Sequence, residues 1–232
     1  MNSLLTLVCC LAAVCYSAPP KERSMHSSDL IGEVEHAKSL VKKILSDVTE
    51  VHHSCVIMEG FTLGPSAEMK NLDFVMTLLA IPSPPRMVPI SETHTLISCV
   101  FLGSVLDLLC VLGNDQAFVP FQEVSLNHMA EGIQLHQHLL QEVEGKLTCS
   151  DRLTPFLADL RDLSAHVHQV QQLAKVTPTE PHGSSSDLSS RLHGDYQVQV
   201  AIHLILQQLQ SFGQDMFRTL RHILLRNPPS TI

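Results

Sequence analysis

Apolar residues recur alternately three and four positions apart through four long stretches of this chain. That spacing matches the 3.6-residue period of an α-helix and puts the apolar side chains on one face. The first stripe shows the pattern: Val34, Ala37, Val41, Ile44, Val48 and Val51. The sequence therefore predicts an all-α fold whose amphipathic helices bury their apolar faces against one another. They are expected at about 28–54, 124–145, 151–175 and 194–226.

The lengths of the connections between these helices limit the directions in which they run. The first connection is long and rich in Pro and Gly, with room for a short helix between Ala67 and Ala80, and the last, 177–192, is rich in Ser and Pro. Only 146–150 separate the second helix from the third, so that pair must be antiparallel. A helix of about 25 residues is about 37 Å long, and the outer connections can cross that length at about 3.3 Å per residue. We expect an up-up-down-down four-helix bundle with two long crossover loops.

Composition excludes several classes of function. A chain of 232 residues is sized for one domain. Its net charge is −8 and it has no dense Lys/Arg cluster, so nucleic acid is not an expected partner. No GxSxG, HExxH, P-loop or GxGxxG pattern occurs, and we expect neither an enzyme nor a bound cofactor.

The beginning of the chain has the form of a secretory signal peptide. Leu4 to Cys15 is an apolar run too short to cross a bilayer core of about 30 Å. Small residues, Cys15 and Ser17, occupy the positions that signal peptidase reads if cleavage follows Ser17. We expect residues 1–17 to be removed and the helical domain, 18–232, to be secreted into the extracellular space.

A second apolar stretch invites a membrane interpretation. Leu96 to Leu112 spans 17 residues with Asp107 as its only charged residue. An Asp near the bilayer centre costs about 3 kcal/mol. We therefore expect a packed segment and no membrane insertion.

Four cysteines remain after removal of the signal peptide: Cys55, Cys99, Cys110 and Cys149. They allow three full pairings, and their spacing contains no CxxC of the kind found in zinc or thioredoxin-like sites. Structural disulfides are the expected role.

The paired histidines do not predict a metal site. His136 and His138, like His166 and His168, lie two residues apart, which places the two side chains of each pair about 200° apart around a helix. Neither pair can converge on one ion, and the sequence predicts no metal ligands.

Three segments resemble granulocyte colony-stimulating factor, particularly its fish forms. Leu209–Phe212 followed by Arg218–His222 is similar to the family's closing Leu-Gln-Ser-Phe and Arg-x-Leu-Arg-His pattern. Gly132–Gln141 resembles the family's second helix, and Leu79–Pro82 its first-loop motif. The resemblance implies a long-chain helical cytokine of the interleukin-six superfamily. Such a protein, a monomer when free, clusters a class I cytokine receptor and stimulates proliferation, survival and differentiation of granulocyte-lineage cells. The rival interpretation is a secreted helical carrier of an apolar ligand.

The resemblance also implies which residues contact the receptor. Asp159 and Asp162 match an Asp-x-x-Asp pair on the family's third helix, and Lys42 and Lys43 match basic residues on its first helix. The carboxylates would accept hydrogen bonds from receptor Arg side chains, although acidic residues near a helix start also stabilise its dipole. Glu68 is the candidate for a second, smaller receptor face.

The chain departs from the family in two places. Ser39 and His36 stand where the family has Glu and Lys, and residues 100–122 interrupt the approach to the second helix as an apolar insertion. That segment is either a lineage-specific extension or an unspliced segment. Because Cys99 falls at the family-like start of the second helix, a Cys55–Cys99 disulfide is favoured, with Cys99–Cys110 as its rival.

Overall fold

A computed structural model of the protein describes residues 21–64, 69–88, 106–179 and 187–226. The long helices in these ranges are α1 (Lys21–Cys55), α3 (Leu106–Glu144), α4 (Ser150–Leu173) and α6 (Asp195–Arg226), and the short ones are α2 (Met69–Leu79) and α5 (Leu188–Arg191). No β-strand occurs in the described ranges. The predicted all-helical class is confirmed, and so is the short helix expected between Ala67 and Ala80.

The apolar stripes read from the sequence form the core. All six stripe residues of α1 are buried. The predicted stripes of α4 and α6 are buried as well: Leu153, Leu157, Leu160, Leu163, Val167 and Val170 from α4, and Ile202, Ile205, Leu209, Phe212, Met216, Leu220 and Ile223 from α6. Together with the inward face of α3 they make one continuous cluster. Removing apolar surface from water at about 25 cal/mol per Å² drives this packing.

Each of α1 and α3 packs against both α4 and α6. Along the α1–α4 seam, Glu33 meets His166 near one end and Glu50 meets Arg152 near the other. Residue numbers rise on one helix as they fall on the other, so α1 and α4 are antiparallel.

The other three seams show the same relation. On the α3–α6 seam, His136 stacks on Phe212 and Phe121 lies against His222. On the α3–α4 seam, Gln171 donates a hydrogen bond to Asn127, and Thr154 donates one to Glu144. On the α1–α6 seam, His52 contacts His203 and Leu45 lies beside Gly213. Adjacent helices of the bundle are therefore antiparallel at every seam.

Helix α3 begins well before the position that the sequence suggested. Residues 106–122, read as most of an apolar insertion, are continuous with the helix predicted to begin near Val124. The interruption was expected because this segment does not match the family's approach to its second helix. Phe121 is buried, so this residue of the interrupting segment packs against the bundle.

The disulfide pairing expected from the family-like position of Cys99 is wrong. The structure joins Cys55 to Cys149, with a Cα–Cα distance of 5.2 Å. Cys55 is the last residue of α1 and Cys149 immediately precedes α4. Since these helices are antiparallel, the end of one meets the start of the other. Cys99 itself lies outside the described residues.

Three further expectations lie wholly or partly outside the described residues: the signal peptide over 1–17, the packed segment Leu96–Leu112 and the candidate receptor contact Glu68. Of the helices that the structure describes, none is both long enough and apolar enough to cross a membrane.

Candidate binding surface on helices α1 and α4

The α1–α4 seam carries charged side chains along the outer edges of the two apolar stripes. Lys43 directly precedes Ile44 in the apolar stripe of α1, and Asp159 directly precedes Leu160 in the stripe of α4. Because α1 and α4 are antiparallel and in contact, these two flanking positions face each other. The Lys43 Nζ donates a hydrogen bond to Asp159 Oδ2 and lies 3.5 Å from Asp47 Oδ2.

The environment of Lys43 favours its charged form. The hydrogen bond to Asp159 raises the pKa of Lys43 above its ordinary value, and the negative charges of Asp159 and Asp47 act in the same direction. The Lys43 side chain is 54% exposed and that of Asp159 is 19% exposed. The ammonium therefore lies over a carboxylate that is largely held within the seam.

A second ion pair lies two turns along the same seam. Arg152 Nη1 is 2.7 Å from Glu50 Oε1, and both side chains are about 60% exposed. The two ion pairs, with Val51, Pro155 and Phe156, line a shallow groove of about 150 Å³. Pockets for small molecules usually measure about 300–1,000 Å³. The groove is better suited to side chains of a protein partner than to a small ligand.

The exposed Glu50–Arg152 pair can change partners at little cost, and the Lys43 ammonium is itself more than half exposed. Solvent-exposed pairs typically contribute only about 0–1 kcal/mol. A partner that presents an Arg to Asp159 can replace Lys43, since a guanidinium forms two parallel hydrogen bonds with a carboxylate. The seam thus offers acceptors that a basic side chain of a partner can use.

The structure brings two of the predicted receptor-contact residues together and leaves two others exposed on the same helices. Lys43 and Asp159 are in direct contact. Asp162 is exposed one turn further along α4, and Lys42 is exposed on α1. The seam thus supplies one coupled pair and two exposed neighbours.

Sequence reasoning missed Asp47, Glu50 and Arg152, which share the groove with Lys43 and Asp159. Their positions follow from the pairing of the helices. Glu50 is seven residues after Lys43, and Arg152 is seven before Asp159, so a step of two turns along α1 matches the same step back along α4. Once one contact between antiparallel helices is known, the others can be predicted, but no sequence signal supplied the first.

A cluster of potential metal ligands occupies the other end of this seam. His166 Nδ1 of α4 is 2.9 Å from Glu33 Oε2 of α1. The His166 ring meets that of His36 edge to face, with centroids 5.7 Å apart. One ligand atom from each of these residues lies within 4.8 Å of the other two. This cluster is not one of the histidine pairs noted in the sequence, His136/His138 and His166/His168. Its members come from two different helices.

Other histidines are buried and structural. The His136 side chain is fully buried and donates from Nδ1 to the Gly132 carbonyl oxygen at 2.7 Å. Burial lowers the pKa of His136 to about 4. Burial also lowers the pKa of His52 to about 4, with a further contribution from His203, whose ring nitrogen is 2.9 Å away. These side chains are neutral at pH 7 and serve packing.

A larger groove lies between the proline-rich connection and α6. It has a volume of about 1,040 Å³, and its lining combines apolar residues such as Met76, Met87 and Phe212 with polar ones such as Gln207 and Asp215. An apolar cavity inside the bundle would support a carrier of an apolar ligand. This groove is open to solvent and partly lined by amide and charged groups, so it does not favour the carrier interpretation.

The chain matches no family model, and no curated protein shows significant sequence similarity to it. The geometry of the bundle and the segments that resemble granulocyte colony-stimulating factor therefore carry the proposed function.

Proposed function

We propose that this protein is a secreted cytokine, similar to granulocyte colony-stimulating factor, that binds and clusters a class I cytokine receptor. Its action is to stimulate proliferation, survival and differentiation of granulocyte-lineage cells. The mature chain is a monomer until it meets its receptor and performs no catalysis.

The observation that carries this proposal is the arrangement of the four long helices. Since α1 and α3 are each antiparallel to α4 and α6 at the seams described above, they run in the same direction as each other. With this chain order, those directions support an up-up-down-down topology, with long connections after α1 and α4 and a short one after α3. Two long crossovers in this order are typical of growth hormone and cytokine bundles.

The disulfide supports an extracellular location. Cys55 and Cys149 are bonded, and disulfides persist mainly in oxidising compartments such as the secretory pathway. This agrees with the signal peptide expected from residues 1–17.

The proposed receptor contact is the α1–α4 surface formed by Lys42, Lys43, Asp159 and Asp162. Asp162 is exposed and ready to accept from a basic receptor side chain, while Asp159 exchanges Lys43 for a receptor Arg. A second face, near Glu68 in the first connection, would bind a second receptor chain. Two separate faces on one rigid bundle convert two binding events into receptor clustering.

Receptor phosphorylation in cells that carry the candidate receptor tests this assignment. The wild-type chain is compared with a double variant, Asp159→Ala plus Asp162→Ala. Interface residues of the hot-spot class cost at least about 2 kcal/mol when truncated. The half-maximal concentration of the double variant should therefore rise at least about tenfold.

Asp215→Ala is the matched control. Asp215 forms an exposed ion pair with Arg218 on α6, at 2.7 Å, away from the α1–α4 seam. This variant should signal like wild type. Undiminished signalling by the double variant would remove Asp159 and Asp162 from the receptor contact, whereas a folded wild-type chain that never induces phosphorylation would contradict the cytokine function itself.

A further inference from the structure

Glu33, His36 and His166 form a compact group of metal-binding side chains across the α1–α4 seam. Glu33 and His36 are three residues apart and are neighbours on one side of α1. His166 reaches them from α4, with its Nδ1 2.9 Å from Glu33 Oε2. The three ligand atoms all lie within 4.8 Å of one another.

These distances are close to those of a tetrahedral zinc site. Zinc binds imidazole nitrogen and carboxylate oxygen at about 2.0–2.2 Å, which sets neighbouring donor atoms about 3.3 Å apart. The donor atoms lie within 4.8 Å of one another, so Glu33 and the exposed His36 ring would have to rotate to reach that spacing. Two imidazoles and one carboxylate supply three ligands, and a water molecule completes the tetrahedron.

The donor types select the class of metal. Mg²⁺ and Ca²⁺ prefer sites made of oxygen alone. Imidazole ligands suit zinc, copper and nickel instead. The mixed nitrogen and oxygen set therefore indicates a divalent transition-metal ion, and zinc commonly takes His and carboxylate ligands together.

The local charge and exposure also suit a cation. The positions three and four residues away from Glu33 and His166 on their own helices include Asp29 and Asp162 and no Lys or Arg. The Glu33 side chain is 18% exposed and that of His166 is 34% exposed, while His36 is exposed. An ion can thus reach the cluster without unfolding of the bundle, and acidic neighbours raise its local concentration.

We propose that Glu33, His36 and His166 bind one zinc ion that links α1 to α4. This site does not depend on the receptor-binding proposal, because its ligands and its test involve the isolated chain alone.

Titration of the full mature chain with zinc chloride by isothermal titration calorimetry tests the site. The wild-type protein should bind one equivalent with an affinity that His36→Ala and Glu33→Gln each reduce at least tenfold. The side chain of His36 is exposed and Glu33→Gln keeps the size of the side chain, so both variants should fold. Equal affinity in wild type and in these two variants would overturn the proposal.

His138→Ala provides a matched control. His138 Nε2 lies 2.9 Å from Glu142 Oε1 four residues away on α3, so it forms the same kind of imidazole–carboxylate pair. The described residues supply no third donor there, and this variant should bind zinc like wild type. A loss as large as that of His36→Ala would show that zinc binds histidines without selection and would count against the site.

Two further readings use the same proteins. Zinc should raise the thermal midpoint of wild type, since a ligand that binds the folded state stabilises it, and should leave the midpoint of His36→Ala nearly unchanged. Cobalt chloride should give tetrahedral ligand-field absorption without a thiolate-to-cobalt charge-transfer band. Equal zinc shifts in both proteins, or a thiolate band, would contradict the assignment.

Discussion

Acidification should destabilise the bundle through the buried ring of His136. Its pKa is about 4 in the folded protein, against 6.5 for an ordinary histidine. As the pH falls below 7, the unfolded chain gains this proton first, so the free energy of unfolding decreases. The loss begins near pH 6.5 and levels off below pH 4, where both states are protonated.

The size of the effect follows from the two pKa values. Linkage gives a loss of about 2 kcal/mol between pH 7 and pH 5, and about 3 kcal/mol between pH 7 and pH 4. The unfolding free energy of a small domain is only about 5–15 kcal/mol. The loss expected from His136 alone is therefore a large fraction of the total stability.

The variant His136→Leu isolates the contribution, because leucine cannot titrate and also packs beside Phe212. Urea unfolding followed by far-ultraviolet circular dichroism at pH 7, 6, 5 and 4 gives the unfolding free energy of each protein. The unfolding free energy of wild type minus that of His136→Leu should fall by about 3 kcal/mol between pH 7 and pH 4. A constant difference between wild type and His136→Leu would refute the reasoning.

The remaining predictions concern the stability of the bundle. Replacing Cys55 and Cys149 by Ala should lower the unfolding free energy by about 4 kcal/mol, because the bridge joins residues 94 apart in sequence; urea unfolding measures the loss, and a change below 1 kcal/mol would contradict it. Gly132→Ala should cost about 1–3 kcal/mol, since its added Cβ would lie 2.2 Å from Cζ of Phe212. Gly32→Ala, in open space within α1, should instead raise stability by about 0.5–1 kcal/mol. Thermal unfolding compares the two glycine variants. A Gly132→Ala variant more stable than wild type would contradict the close contact between Gly132 and the Phe212 ring.

The helices that could be predicted most fully are those with a clear amphipathic contrast. In α1, α4 and α6, apolar stripes alternate with polar faces, and the predicted stripe residues are buried. The beginning of α3 lacked that contrast, because residues 106–113 are mostly apolar and Pro120 resembles a helix boundary. Periodicity identifies a helix that is half exposed better than one that is apolar on several sides.

Contacts between helices were the harder part. Which cysteine pairs with Cys55 depends on which helix ends lie next to each other. Loop lengths alone allow several such arrangements. The same applies to Glu33 and His166, which are 133 residues apart in sequence and adjacent in the bundle. Residue spacing along one helix excluded metal binding by the histidine pairs but carried no information on ligands from a second helix.

Binding of the mature chain to the purified ectodomain of a granulocyte colony-stimulating factor receptor, measured by surface plasmon resonance, tests the proposed function most directly. We predict saturable binding that Asp159→Ala plus Asp162→Ala weakens at least about tenfold and that Asp215→Ala leaves unchanged. A correctly folded, disulfide-bonded wild-type chain that fails to bind the ectodomain would contradict the account.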